Sequence, residues 1–477
     1  MKFLIKYKII FQEGDTPKYI QIVKHIKKMI DINQIEDGER LPSIRMLANF
    51  LGVNNDTIIN AFKKLQLEGY AVQKIGSGTY AKKREAGKNF KKDYSDTFKK
   101  LSATGFSGFI DFTGENACGD FFPVATFKNV LNEVLDRDGA EALAYQEALG
   151  YSGLRQSINK YFWNETIDNE NILIVSGAQQ GIDIISKAMI NINDNVVVEK
   201  PTYMGALSVF RGRRANIFEV EMKSDGIDIK EFKNILKKNK IKCFYLMSYF
   251  QNPTGITYST EKKKEILALA QEYDFYIIED DYLSELIYDI NIEYKSFRML
   301  DTNDRVIYIK SFSKIFLPGI RIGYLVCPYK FREQIQSAKI DTDISTSSLM
   351  QRALQLYIEK GYWKEYINYL STIYKERYSF AKKHIEYILG KKVRTYDPGG
   401  GLNFYLEIAK SIKMDSKELF YKCKDNNVLI TPGILFYKQS KDGERYFRLG
   451  FSKVGSEDMI KGLNIINNIL KESDRLE

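Results

Sequence analysis

Cysteine is scarce in this 477-residue chain: Cys118, Cys243, Cys327 and Cys423 are far apart and form no C-x-x-C pair. Neither a disulfide framework nor a thiolate zinc site is supported. Histidine is scarcer still, with only His25 and His384, which argues against a histidine-based triad or metal centre, and no metal is expected. Long apolar runs are missing too, since none approaches the ~18 residues that crossing a bilayer takes. The opening Met1 to Lys8 is broken by lysines, unlike a secretory signal. A cytoplasmic protein with no membrane partner is expected.

What the chain does have is length and an uneven charge. At 477 residues, 44% of them hydrophobic, it exceeds what one core usually supports, so two or more domains are expected. Residues 1 to 100 hold 20 Lys/Arg against 11 Asp/Glu, a net +9, while the other 377 hold 51 against 50, a net +1. A basic excess confined to one periodic, apolar-striped region is a folded module suited to nucleic acid.

Within that module, Ile22, Ile26, Met29 and Ile30 predict a helix from Tyr19 to Ile32, with Asp15 or Thr16 as cap and Pro17 near its first position. Ser43 and Gly52 read as the cap and terminator of a second helix, buried through Ile44, Leu47, Ala48 and Leu51. Asn54 caps a third, running to about Leu67 and burying Ile58, Ala61, Phe62 and Leu65. Two short helices joined by Gly52-Val53 make a helix-turn-helix. Tyr70 to Gln73 and Thr79 to Ala81, flanking Gly76-Ser77-Gly78, read as a hairpin wing. The third helix turns Asn55, Asp56, Thr57, Asn60, Lys63 and Lys64 outward. Asparagine can pair with adenine and lysine with phosphate, as a recognition helix in the major groove requires.

These residues, with Gly38-Glu39-Arg40-Leu41-Pro42-Ser43-Ile44-Arg45 and Glu68-Gly69-Tyr70, resemble the GntR-type winged helix. The resemblance implies double-stranded operator DNA as partner and a contact set of Arg40, Ser43, Arg45, Asn54, Asn55, Thr57, Asn60, Lys63 and Gly78. Arg45 and Thr57 would meet the backbone or base edges, and Gly78 the minor-groove side. The family usually has Ser-Arg where this chain has Asn54-Asn55. Residues 1–81 are assigned to this domain, and 82–108, polar, basic and weakly periodic, to a linker.

From 109 to 477, short apolar runs alternate with amphipathic segments, the mark of an α/β fold with a mostly parallel sheet, whose ligands gather at strand carboxyl ends. Asn171 to Val175 leads through Ser176-Gly177-Ala178-Gln179 into a helix whose first amides make a phosphate cradle. Tyr203 follows another strand and could stack on a planar ring. Cys243 to Ser248 precedes Asn252-Pro253-Thr254-Gly255, and Phe275 to Ile278 ends in Glu279-Asp280-Asp281-Tyr282. Three adjacent carboxylates after a buried strand are costly unless something positive binds there. Ile307 to Ile309 leads into Ser311-Phe312-Ser313-Lys314, with Arg321 seven residues on. An amine, two hydroxyls and an arginine suit an aldehyde and a phosphate, and pyridoxal 5'-phosphate (PLP) carries both. Lys314 would form the imine, an acidic residue would hold the ring nitrogen, and Asn252 and Tyr282 the ring oxygen. Ser176, Ser311, Ser313 and Arg321 would bind the phosphate. The planar fork of Arg448 suits an amino-acid carboxylate.

Tyr145-Gln146-Glu147-Ala148-Leu149-Gly150-Tyr151-Ser152-Gly153-Leu154-Arg155, Asn252-Pro253-Thr254-Gly255, Asp280 and Lys314 with Arg321 resemble the fold-type I aminotransferases of class I/II. The resemblance implies a small α+β subdomain over about 375–477, and a dimer in which Tyr145 reaches the neighbouring subunit's phosphate. The acidic cluster leaves Asp280 or Asp281 as the pyridinium partner, and Asp280 is favoured. Behind a GntR-type winged helix, such a domain resembles the MocR subfamily of transcription regulators. That implies a head-to-tail homodimer that senses PLP, an amine or an amino acid. The rival reading is a working aminotransferase with a DNA-binding appendage.

Overall fold

In a computed structural model, which describes residues 2–12, 16–31, 34–74, 77–82, 86–106, 108–145, 147–316, 318–343 and 345–474, the amino-terminal helices are set by their caps. Helix α1 (Lys18–Asp31) buries Ile22, Ile26 and Ile30. Ser43 Oγ accepts the Met46 amide at 3.3 Å to open α2 (Ile44–Leu51), and Gly52 closes it in the left-handed conformation, φ 64°. Asn54 Oδ1 accepts the Thr57 amide at 2.9 Å to open α3 (Asn55–Leu67). Strands β1 (Ala71–Lys74) and β2 (Gly78–Ala81) pair antiparallel as the wing. Asp15 and Gly76, read as a possible cap and part of the turn, lie outside the described residues. Leu47, Ile58, Ala61, Phe62, Leu65 and Tyr70 close the core of this unit.

The segment read as a basic linker, 82–108, contains a helix, α4 (Ala86–Thr104). Its lysines mask an aromatic stripe at Phe90, Tyr94 and Phe98, spaced for one helix face. Phe90 is fully buried, its ring 5.5 Å from Phe420 and 5.7 Å from Tyr421, both near-perpendicular, and Tyr94 lies 5.3 Å from Phe420. Such edge-on contacts, added to the buried area, hold the helix onto the carboxy-terminal part of the chain.

Beyond α4, β3 (Ile110–Asp111) is followed by α5 (Val124–Asp138), α6 (Ser152–Trp163), β4 (Ile172–Val175) and α7 (Ala178–Met189). Then come β5 (Asn195–Lys200), β6 (Asn216–Lys223), β7 (Gly226–Ile227), β8 (Ile241–Leu246), β9 (Tyr276–Asp281), β10 (Val306–Ser311) and β11 (Gly323–Val326). These form one eight-stranded sheet in the order β4-β11-β10-β9-β8-β5-β6-β7. Strands β10, β9, β8, β5 and β6 pair parallel, while β11 and β7 run antiparallel to their neighbours. All-apolar runs such as Ile172–Val175 and Val306–Ile309 are buried, as a sheet covered on both faces requires.

The carboxy-terminal part has β12 (Val393–Thr395), β13 (Asn403–Ile408), β14 (Val428–Leu429), β15 (Thr431–Pro432) and β16 (Tyr446–Gly450). Four of these make an antiparallel sheet, β12-β13-β16-β15. A boundary near residue 375 falls inside the continuous helix Tyr362–His384, which spans the two parts. Strand β14 pairs parallel with β3, so the first strand of the large module belongs spatially with the carboxy-terminal part.

Candidate cofactor and effector site

Strand β9 runs three residues further than its apolar stretch, and its three carboxylates meet different surroundings. Alternation along the strand sends Glu279 and Asp281 to one face and Asp280 to the other. Glu279 accepts the Phe297 and Arg298 amides at 2.9 and 3.0 Å, at the start of a short helix; burial pushes its carboxyl up to about 7. Asp281 accepts from Tyr308 at 2.8 Å, Tyr294 at 2.9 Å, Ser284 Oγ at 2.8 Å and Lys310 Nζ at 3.1 Å. Both its oxygens are therefore engaged within the protein. Asp280 differs. Tyr245 donates to its Oδ2 at 2.7 Å, while Oδ1 is buried with no hydrogen-bond partner among the described residues. Burial pushes this carboxyl up to about 6, against the Tyr245 hydrogen bond and the charges of Lys314 and Lys310.

Lys314 lies in the turn after β10, next to Ser313 and just past Ser311, which ends the strand; both serines are buried. Ser313 Oγ has no hydrogen-bond partner among the described residues. Burial pushes the Lys314 amine down to about 8, with Asp280 pulling the other way. Arg321, at φ 51°, turns back so that its Nη2 donates to the Ser176 carbonyl at 2.5 Å. The left-handed Gly177, φ 94°, sits where an added Cβ would come 3.3 Å from the Arg321 guanidinium. Arg321 thus lies against the Ser176-Gly177 turn that leads into α7 at Ala178 and Gln179. Ser176 Oγ is 3.4 Å from Thr346 Oγ1 and 3.5 Å from Asp343, whose carboxylate is itself held by Lys339 at 2.8 Å. Tyr203 reaches the same edge, its hydroxyl donating to Gln179 at 3.2 Å.

On the other side, Asn252 is buried and its Oδ1 accepts from Arg448 at 2.7 Å. The Tyr282 hydroxyl donates to the Phe250 carbonyl at 2.6 Å, so its proton is already used. Arg448 pairs with Glu115, and Glu115 Oε2 accepts from Lys314 at 2.9 Å. Burial pulls the Arg448 guanidinium down to about 10. Tyr145 is 82% exposed. Arg155, from the same motif, is buried and anchors the Gly150 carbonyl at 3.2 Å and the Asn169 carbonyl at 2.9 Å.

In the winged helix, Asn55, Asn60 and Lys63 are exposed along α3, as is Arg45 at the start of α2. Ser43, Asn54 and Thr57 are occupied by capping, since the Thr57 hydroxyl as well as its amide goes to Asn54. Arg40 is also exposed and lies against the wing, its Nε 3.1 Å from an added Cβ at Gly78.

Residues 18–81 match bacterial regulatory proteins of the gntR family, and residues 113–466 match aminotransferase class I and II. The chain is 30% identical over 96% of its length to the uncharacterised HTH-type transcriptional regulator YdfD of Bacillus subtilis (strain 168), covering 97% of that protein. This chain belongs to the class I and II aminotransferase family, in MocR-type fusion with a GntR domain.

Two solved structures share the MocR-type chain's larger domain. One is kynurenine aminotransferase of Pyrococcus horikoshii in complex with PMP, with TM-score 0.75, 30% identity, 80% of this chain and 95% of that one. Another is LysN, the alpha-aminoadipate aminotransferase of Thermus thermophilus, complexed with N-(5'-phosphopyridoxyl)-L-leucine, with TM-score 0.73 and 26% identity, covering 80% and 96%. PLP is the cofactor of this fold. No helix among the described residues is long and apolar enough to cross a membrane.

Sequence reasoning missed three residues of the site. Tyr245 was hidden inside an apolar strand, where nothing local marks its hydroxyl as the one that reaches Asp280. Glu199, buried beside it, accepts from Tyr258 at 2.8 Å and Gln251 at 3.0 Å, and burial pushes its carboxyl up to about 8. Glu115 lies in an irregular stretch with no motif to mark it.

Proposed function

We propose that this MocR-type chain is a PLP-responsive DNA-binding transcription regulator, holding PLP, alone or joined to an amino compound, between Lys314, Asp280 and Arg448. The observation that carries the reading is Asp280 Oδ1, a buried and unpartnered carboxylate oxygen beside a desolvated lysine. A buried acceptor left open costs free energy unless a donor arrives, and a protonated ring nitrogen is such a donor. Bound there, PLP supplies an aldehyde to an amine and a ring that withdraws electrons.

The chain's own residues then take distinct tasks. Lys314, its amine lowered to about 8, would offer the aldehyde a larger unprotonated fraction than an ordinary lysine does. Asp280 keeps a proton on the ring nitrogen, and Tyr245 holds that carboxylate in place. Ser311, Ser313, Arg321, Ser176 and the first amides of α7 at Ala178 and Gln179 take the phosphate. Tyr203 stacks on the ring and Asn252 and Tyr282 border its oxygen, while Arg448 receives a carboxylate. Exposure of Tyr145 supports its serving a second subunit's phosphate in a head-to-tail homodimer. Asn55, Asn60, Lys63, Arg45 and Arg40 meet operator DNA, while Ser43, Asn54 and Thr57 shape the helix ends that present them. Turnover is the second reading, favoured by the lowered Lys314 amine, which could also carry protons.

Two measurements on the full chain test this. PLP should give the visible absorbance of a lysine-linked cofactor, lost in Lys314→Ala. Affinity for DNA from its own promoter region should change when PLP and an amino compound are added. No absorbance, or operator binding indifferent to every ligand, refutes the proposal.

A further inference from the structure

Glu115 already satisfies the groups that an amino-acid ligand would need. Its Oε2 accepts from Lys314 at 2.9 Å, its Oε1 pairs with Arg448, and the Asn252 amide donates to both oxygens at 3.3 Å. The remaining sides of Arg448 are walled in by Asn252 Oδ1 at 2.7 Å, Thr431 Oγ1 at 3.3 Å, the Thr113 carbonyl at 3.4 Å and the Phe436 ring at 5.2 Å. Among the described residues Glu115 is the carboxylate that pairs with this buried guanidinium, through Nη1, while Nε has no hydrogen-bond partner there.

The backbone around Glu115 is fixed while its side chain is not committed elsewhere. The Ala117 amide donates to the Lys314 carbonyl at 2.7 Å and the Cys118 amide to the Tyr374 hydroxyl at 2.6 Å. Release of the carboxylate thus needs only side-chain rotation, from a position 15% exposed. We infer that Glu115 is an internal stand-in for the effector's carboxylate, holding Arg448 until a ligand's own carboxylate displaces it, and so setting the preference between amino acids and plain amines. The inference rests on the PLP-site reading above. An amino acid must compete with Glu115 for Arg448, whereas an amine without a carboxylate need not.

The test uses the full chain loaded with PLP, as wild type and as Glu115→Gln, titrated with L-leucine against 3-methylbutylamine and L-tyrosine against tyramine. Binding is read from the PLP absorbance. The affinity ratio of amino acid over matching amine should rise about tenfold in Glu115→Gln, the scale of one charge-assisted hydrogen bond. Glu115→Asp, whose shorter arm cannot span Lys314 and Arg448, should move the ratio in the same direction if the glutamine variant fails to fold. A second arm uses cofactor-free protein and 3-(4-hydroxyphenyl)propionate, a carboxylate with no amine. It should raise the melting temperature of Glu115→Gln more than that of wild type. Ratios unchanged or lowered, or equal thermal shifts, overturn the inference. If wild type takes up no PLP, the site reading fails, and the cofactor-free arm still decides the role of Glu115.

Discussion

Lys310 and Lys314 stand four residues apart and serve different partners, so replacing each by methionine separates a charge the fold needs from one it disfavours. Lys310 is buried and donates to Asp281 at 3.1 Å, Ser284 Oγ at 3.0 Å and Glu285 at 2.9 Å. Burial alone would raise the Asp281 carboxyl, yet the Lys310 charge and the hydroxyls around it hold it below its ordinary value. Lys310→Met leaves two carboxylates in a dry site with no cation, a loss of about 3–5 kcal/mol. With an unfolding entropy of roughly 2 cal/mol/K per residue, that lowers the melting temperature of the larger domain by about 5 °C. Lys314→Met should behave in the opposite way. Burial pushes its amine down to about 8, and the Glu115 carboxylate it pairs with at 2.9 Å is still held by Arg448 and Asn252 when Lys314 is gone, so the cofactor-free variant should melt within about 2 °C of wild type or above it. The assay is calorimetry of the three cofactor-free proteins at pH 7, followed by the visible spectrum after PLP is added. Lys310→Met should lose stability and Lys314→Met the lysine-linked band. Equal melting of Lys310→Met and wild type, or a lysine-linked band surviving in Lys314→Met, would refute the assignment.

Three further outcomes follow from the same geometry. The folded, cofactor-free protein keeps a proton on Asp280 up to about pH 6 that the unfolded chain releases near 3.8, so this group removes stability as pH rises through that window. Asp280→Asn should therefore stabilise the cofactor-free protein by up to about 3 kcal/mol at pH 7 and by little near pH 4, read from melting temperature against pH. In operator binding, Lys63→Ala should weaken all sequences alike and reduce the log–log salt slope by about 0.9, whereas Asn60→Ala should alter base preference by about 1–3 kcal/mol at the position it reads. An unchanged salt slope would remove Lys63 from the phosphate contacts. Phe90→Ala should open the seat of α4, and tryptic cleavage at Lys91 and Lys92 should quicken at least about tenfold, in line with the cost of emptying a buried aromatic site.

How much of this was legible depends on how local each determinant is. Ser43, Gly52 and Asn54 act within a few residues of themselves, and the helices they bound were readable from spacing alone. Lys314 and the acidic run were readable as motifs, but the division of labour among Glu279, Asp280 and Asp281 was not. It depends on which face of β9 each occupies and on Lys310 from the neighbouring strand. Glu115 was invisible because its partners Asn252 and Lys314 lie 137 and 199 residues along the chain. The aromatic stripe of α4 was in plain sight, but its seat at Phe420 and Tyr421 is more than three hundred residues away, and without that seat its lysines dominate the pattern.

A docked α4 changes what joins the two modules. A flexible basic linker would leave the winged helix free of whatever happens in the larger domain. A 19-residue helix instead spans about 28 Å as a stiff element, and its aromatic face rests on the helix Ser416–Asp425. Tyr94 extends this seat toward the site: burial pushes its phenol up to about 12, while the Thr431 hydroxyl and the Arg448 charge act to lower it. Thr431 is in turn a hydrogen-bond partner of Arg448. Arg448, proposed above to receive a ligand's carboxylate, and the helix that leads to the winged helix therefore share one contact chain. A rearrangement at Arg448 would meet Thr431 of β15 and then Tyr94, which lies on the face of α4 that packs against Phe420.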